Sequence, residues 1–168
     1  FGEAWEVFYE RGPVPGGRLA ADERSRRLTL STGESQDAGC LLRKWLMERS
    51  RLFLSPRLAD LSERQKMPYG RLSVRFQGTR WGSCSAKGNI SLNAKLSFLP
   101  GILVDYVLCH ELCHTVHMDH SRSFWDLLER TLPGSLVLRR ALRRAEIRVP
   151  AWAERGKSKR RASPSSER

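Results

Sequence analysis

The stretch His110-Glu111-Leu112-Cys113-His114 sets two imidazoles and a carboxylate at a spacing that chemistry can use. On a helix, residues four apart differ by about 40° around the axis and about 6 Å along it, so both imidazoles leave one face and can grip one cation. Glu111 directly follows the first imidazole, which aims its carboxylate at a water beside the cation rather than at the cation itself. Zinc in such a setting brings the pKa of that water toward ~7, where a carboxylate can take its proton. The neighbouring residues favour this chemistry. Across residues 102–117 the only acidic or basic side chains besides histidine are Asp105 and Glu111, so Glu111 sits on a helix that should be buried. A buried carboxylate without a partner is costly. All four histidines of the chain crowd into residues 110–120.

Two imidazoles leave a cation short of protein donors, and a third is expected. His120 lies past the expected helix end, where a turn can fold it back onto the cation. His117 is the rival, although on a continuing helix it would stand about 10 Å from His110 along the axis. Asp126 and Glu129, further on, are carboxylate alternatives. Cys109 and Cys113 are also four apart, and read either as a second metal pair or as small buried core thiols. Arg80 reads as a clamp for a substrate carboxylate or phosphate, or as an ion-pair partner within the fold. Asn93 and Ser91 are candidates to face a substrate above the metal. Tyr106, Phe124 and Trp125 read as packing around the motif.

Such a motif needs elements to hold it. Leu72, Val74 and Phe76 alternate with polar residues, as do Ile90, Leu92 and Ala94, and both runs predict strands with one buried face. Arg80–Ser83 supplies another short strand. Tight turns between these segments predict antiparallel pairing, and the 89–95 strand is expected as an edge to which an extended peptide could add. Cys40, Leu41, Trp45, Leu46, Leu52 and Phe53 recur near a helical period, which predicts a helix over 38–65 broken or kinked at Pro56. Further helices are expected over 102–117, from Ser121 or Ser123 to about Leu132, and from Ser135 to about Ile147. Near the N-terminus, Trp5–Tyr9 and Arg27–Leu30 predict a hairpin around Pro13–Gly17.

Several blocks of the chain, in order, carry a resemblance: Arg80-Trp81-Gly82-Ser83-Cys84-Ser85, Ile90-Ser91-Leu92-Asn93, Tyr106-Val107-Leu108-Cys109 leading into His110–His114, His120-Ser121, and Phe124-Trp125. On these blocks, residues about 40–145 resemble the YgjP-like (WLM/SprT-related) zinc metallopeptidase domains. The resemblance implies an α+β, zincin-like fold, with a small antiparallel sheet packed on an active-site helix. It implies Zn²⁺ held by His110, His114 and His120, and Glu111 as catalytic base. It also implies a peptide or protein substrate.

Composition bounds the rest. The chain has 168 residues, 40% of them hydrophobic, enough for a sizeable core. No apolar run approaches the roughly 18–20 residues of a membrane span. The chain opens on Phe1 without the regions of a signal peptide, and its four cysteines read as reduced thiols, so a cytoplasmic location is expected. Net charge is +12, and residues 139–168, with 11 basic and 3 acidic side chains, carry +8 of it. That end reads as a basic, disordered tail over 151–168, able to bind nucleic acid or merely solubilising. Residues 38–150 read as the metallopeptidase domain and 1–37 as a partial subdomain. Two other functions compete with peptide hydrolysis. One is hydrolysis of nucleotides or other phosphoanhydrides, with Arg75 and Arg80 on the phosphates. The other is a nucleic-acid-associated module with an idle metal site.

Overall fold

Leu28 and Leu30 alternate with Arg27, Thr29 and Ser31, and this period of two makes Arg27–Thr32 a strand with one face fully buried. It is β3 of the computed structural model, which describes residues 3–12, 17–32, 38–144 and 149–154. Strands β1 (Glu6–Arg11) and β2 (Arg18–Asp22) flank it in the order β1-β3-β2. The expected hairpin between β1 and β3 is not formed: these strands run parallel, and β2 is the antiparallel partner of β3. Residues 13–16 of the expected turn lie outside the described residues, and a tight turn joins β2 to β3. There Asp22 Oδ1 accepts from Arg24 N–H at 2.9 Å, Oδ2 accepts from Ser25 Oγ at 2.7 Å, and Arg26 takes a positive φ of 52°.

Helix α1 (Ala38–Gln65) follows as one element of 28 residues. Pro56 lies inside it and does not end it. The carbonyl that loses its helical donor belongs to Leu52, a residue on the solvent side of the helix at 78% exposure. The buried stripe Leu42, Leu46, Ser50, Leu54 and Leu58 faces two apolar clusters. Leu42 joins Leu28 and Leu30, with Trp5, Trp45 and Trp152 against them. Leu54 and Leu58 join the larger core.

The second sheet contains β4 (Leu72–Arg75), β5 (Gly82–Cys84) and β6 (Ile90–Asn93) in the order β4-β6-β5. It is mixed, not antiparallel throughout: β5 pairs antiparallel with β6, while β4 pairs parallel with it. The turn into β6 explains this. Asn89 Oδ1 accepts from Arg71 N–H at 2.8 Å, Gly88 O from Gly70 N–H at 2.8 Å, and Arg71 O from Ile90 N–H at 2.9 Å. These bonds start β4 and β6 side by side in the same direction. Gly70 is required for the approach, since a Cβ there would stand 2.6 Å from Asn89 Oδ1. Consequently the 89–95 segment is not an edge. Its strand β6 is central, and the edges are β4 and β5.

Helix α2 (Gly101–Cys113) lies across this sheet, buried on most of its circumference by Leu103, Val104, Val107, Leu108 and Leu112. It ends at Cys113, short of the expected residue 117. Helices α3 (Arg122–Thr131) and α4 (Ser135–Arg144) pack behind it, with Phe124 and Leu128 in the same core. The fold is thus α+β with a zincin-like arrangement of sheet on helix. Ala151–Glu154, expected at the start of a disordered tail, instead fold back. Arg43 donates to Trp152 O at 2.8 Å, and Ala153 is buried. The rest of that basic segment, 155–168, lies outside the described residues. Among the described residues no helix is long and apolar enough to cross a membrane.

Candidate metal centre

His110 stands in the last turn of α2, and His114 is the residue that caps it. Beyond the cap the chain tightens. Thr115 N–H bonds to Leu112 O at 2.9 Å and His117 N–H to Cys113 O at 2.9 Å, and the backbone leaves the helical path. This turn carries His120 back, so that the donor atoms of His110, His114 and His120 all lie within 4.8 Å of one another. No other group of three such donors occurs among the described residues. With α2 ending early, the ring of His120 is in the cluster and that of His117 is not. The carbonyl of His117 is used instead, facing His114 Nδ1 at 3.0 Å. A carbonyl only accepts, so Nδ1 carries the hydrogen and Nε2 keeps its lone pair.

The His110 and His120 pair is spaced for a zinc-sized cation, with His114 as the third donor within 4.8 Å. Nε2 of His110 and Nε2 of His120 are 3.1 Å apart. Two nitrogen ligands on a tetrahedral zinc stand about 3.3 Å apart, from zinc–nitrogen lengths of about 2.0–2.1 Å. Burial pushes the His110 imidazole down to about 3, helped by the neighbouring His114 and His120, and so keeps it neutral as a ligand must be. His120 is lowered too, chiefly by desolvation and then by His114. His110 Nδ1, the nitrogen turned from His120, is buried without a hydrogen-bond partner.

Phe124 and Trp125 make the back of this site. The Phe124 ring lies 4.9, 4.5 and 4.8 Å from the rings of His110, His114 and His120. Trp125 stacks on His120 at 5.4 Å, and its Nε1–H donates to His120 O at 3.0 Å. The Arg139 guanidinium covers the outer face of Trp125 at 4.3 Å. Sequence alone marked Phe124 and Trp125 as packing. Contact with all three imidazoles is visible only once α3 is in place, and Arg139 carried no signal.

Glu111 is 5% exposed. Burial pushes its carboxyl up to about 7, with the positive charge of Arg80 acting in the opposite sense. Its other wall is β5: a Cβ built on Gly82 would stand 2.7 Å from Glu111 Oε1 and 2.9 Å from Cδ. Asn93, expected to face substrate, is 2% exposed and turned inward. Its Nδ2 donates to Gln77 O at 3.0 Å and Arg80 O at 2.7 Å, and its Oδ1 accepts from Lys95 N–H at 3.1 Å. It therefore pins the loop between β4 and β5. Ser91 is likewise engaged, accepting from Arg75 Nε at 2.7 Å. Arg80 itself is exposed on that loop.

The remaining candidates are turned elsewhere. Glu129 accepts from Gly134 N–H and Ser135 Oγ, both at 2.6 Å, which caps the start of α4. Asp126 faces Arg122 at 3.8 Å. Cys109 and Cys113 are buried core thiols, pushed up by burial to about 12 and about 11.

Comparison with known proteins follows this geometry. Among solved structures, the metallopeptidase zymogen abylysin of Pyrococcus abyssi is similar, at 23% identity and a TM-score of 0.48, over 54% of this chain and 94% of that one. No curated protein matches the sequence. The model of the YgjP-like metallopeptidase domain matches residues 1–145, including the N-terminal strands as well as every block quoted above, and the chain belongs to that family.

Proposed function

We propose that this protein is a zinc-dependent peptidase that hydrolyses peptide bonds, with His110, His114 and His120 as metal ligands and Glu111 as the general base. The observation that carries this reading is the convergence of three imidazole donors within 4.8 Å beside a buried carboxylate. Zinc, when bound, supplies a Lewis acid that polarises a carbonyl and brings a water toward ionisation near pH 7. The chain does the rest. In the metal-free chain burial pushes the Glu111 carboxyl up to about 7, and a cation held by the imidazoles would favour the carboxylate that a base requires. Glu111 takes the proton of the attacking water and passes it to the leaving amine. Family membership supports a peptide or protein as substrate.

The open edge of β5 supports a way to hold that substrate. Trp81 O accepts from Asn93 N–H, and Ser85 N–H donates to Asn89 O, so residues 81, 83 and 85 spend their backbone groups on β6. Gly82 and Cys84 therefore turn theirs outward. An extended peptide added antiparallel to β5 would pair with them and pass beside Glu111. Four unpaired thiols are in keeping with a reducing, cytoplasmic setting. The test is Glu111→Gln. Elemental analysis should find zinc retained, while hydrolysis of a casein peptide mixture falls at least a thousandfold. Full activity in that variant would exclude Glu111 as the base.

A further inference from the structure

We infer that Arg80 and Lys95 form a carboxylate-binding subsite on the C-terminal side of the bond to be cleaved, so that the enzyme prefers peptides bearing an acidic side chain or a free terminal carboxylate there. This rests on the peptidase reading above and on antiparallel addition of the peptide to β5. Three observations carry it. First, a cleft of about 240 Å³ is lined by Arg80, Lys95, Trp81, Asn93 and Val149. That volume takes one residue, being below the roughly 300–1,000 Å³ of drug-sized sites. Second, the cleft is cationic, and among the described residues neither of its cations is held in an ion pair. No carboxylate of a described residue lies within ion-pair reach of Arg80 or Lys95, whereas Arg26, Arg27, Arg49, Arg57 and Arg64 each face one. Third, its loop is held in place. Asn93 donates to Gln77 O and Arg80 O, so Arg80 departs from a fixed backbone rather than a loose one.

Direction follows from strand polarity. Gly82 abuts Glu111 and marks the reacting position, and β5 runs from Gly82 to Cys84. A peptide antiparallel to it runs from Cys84 toward Trp81, so the residues after the cleaved bond reach Arg80 and Lys95. A planar guanidinium with an ammonium beside it matches a carboxylate in charge and hydrogen bonding.

The experiment uses the full chain with zinc and three synthetic peptide mixtures of one randomised neutral core. The first carries Asp or Glu at one position and an amidated C-terminus. The second carries no acid and a free C-terminus, and the third has neither. Cleavage of the first or second set should exceed that of the third by about five- to tenfold in kcat/KM, as one charge-assisted contact allows. Whichever set wins identifies the source of the carboxylate. Arg80→Gln combined with Lys95→Gln should bring the ratio to about one, and raising salt should shrink it. A ratio near one in the wild type, or one that survives the double substitution, overturns the proposal. Binding separates this from the hydrolytic reading. Zinc-loaded Glu111→Gln should hold the first or the second set at least fivefold tighter than the third by fluorescence anisotropy. If it does while the wild type cleaves nothing, the subsite stands and the hydrolytic reading fails. If that binding preference is absent, the subsite is wrong.

Discussion

Replacing Gly82 by alanine should separate the base from the metal. The φ of Gly82 lies outside the left-handed region, so the backbone itself accepts alanine. The difficulty is steric: the new Cβ would stand 2.7, 2.8 and 2.9 Å from Oε1, Cγ and Cδ of Glu111. Ordinary carbon contacts begin near 3.5 Å, so the Glu111 side chain has to retreat by roughly 0.6–0.8 Å. The helix beneath it cannot slide, because Leu108 and Leu112 on either side along α2 are fully buried. The movement therefore falls on the side-chain torsions of Glu111. A misplacement approaching 1 Å costs on the order of 10- to 100-fold in rate. The three atoms nearest the new Cβ all belong to Glu111, so the strain falls first on the base and zinc affinity should stay within about threefold. Peptide turnover and a chelator competition for zinc, run on the same sample, measure the two effects. Stability gives an independent reading. Overpacking should cost about 1–3 kcal/mol in the wild-type background, and Glu111→Ala, which removes the atoms met, should relieve it. Full turnover by Gly82→Ala with zinc bound would refute the placement of Glu111 as base. Loss of zinc in parallel with turnover would show that the strand, not the glutamate, had moved.

The remaining tests address the other parts of the site. Burial raises the Glu111 carboxyl in the metal-free protein from 4.5 to about 7, so the unfolded chain gives up this proton first and Glu111 lowers stability as pH rises through that window. Urea titrations in chelator should show Glu111→Gln gaining roughly 3 kcal/mol on the wild type between about pH 4.5 and 7. A pH-independent difference would contradict the burial argument. Trp125→Phe keeps a ring on His120 but loses the Nε1–H donor to its carbonyl. Zinc affinity should weaken about tenfold, as for other groups that orient a ligand. An unchanged affinity would reduce Trp125 to packing. Removing zinc should cost about 4 kcal/mol of stability at free zinc a thousandfold above Kd. His120→Ala should lose most of that difference between metal-loaded and chelated samples, and retention of the whole difference would remove His120 from the ligand set.

Covalent spacing made part of this protein legible. His110, Glu111 and His114 lie four residues apart at most, and any helix over them gives the same face. Alternation likewise revealed β4 and β6, and uninterrupted apolarity revealed the burial of α2. Contacts between distant segments were not legible. Strand β2 was missed because nearly all of Arg18–Asp22 is exposed and no buried face alternates through it. Strand order in the second sheet depends on Asn89 reaching Arg71, an 18-residue separation that no local pattern encodes. Pro56 looked like a helix break because its effect depends on whether Leu52 O meets water or core. Asn93 looked like a substrate contact because its polarity was visible and the loop it pins was not.

The chemistry of the site is itself a product of this packing. Leu108 and Leu112, with the sheet on one side and α3 on the other, exclude water from the end of α2. That exclusion acts on His110 and Glu111 in opposite directions but to one end. It removes the proton that would block a metal ligand, and it holds a proton on a carboxyl that in water would have lost it at pH 5. Each is a neutral form maintained at the expense of solvation. A divalent cation among the three imidazoles would reverse the balance for Glu111, since a nearby positive charge favours the carboxylate. Cation binding and ionisation of the base are therefore coupled by proximity, as metal sites generally couple to protons. The apolar residues that looked merely structural set the protonation state on which the proposed reaction depends.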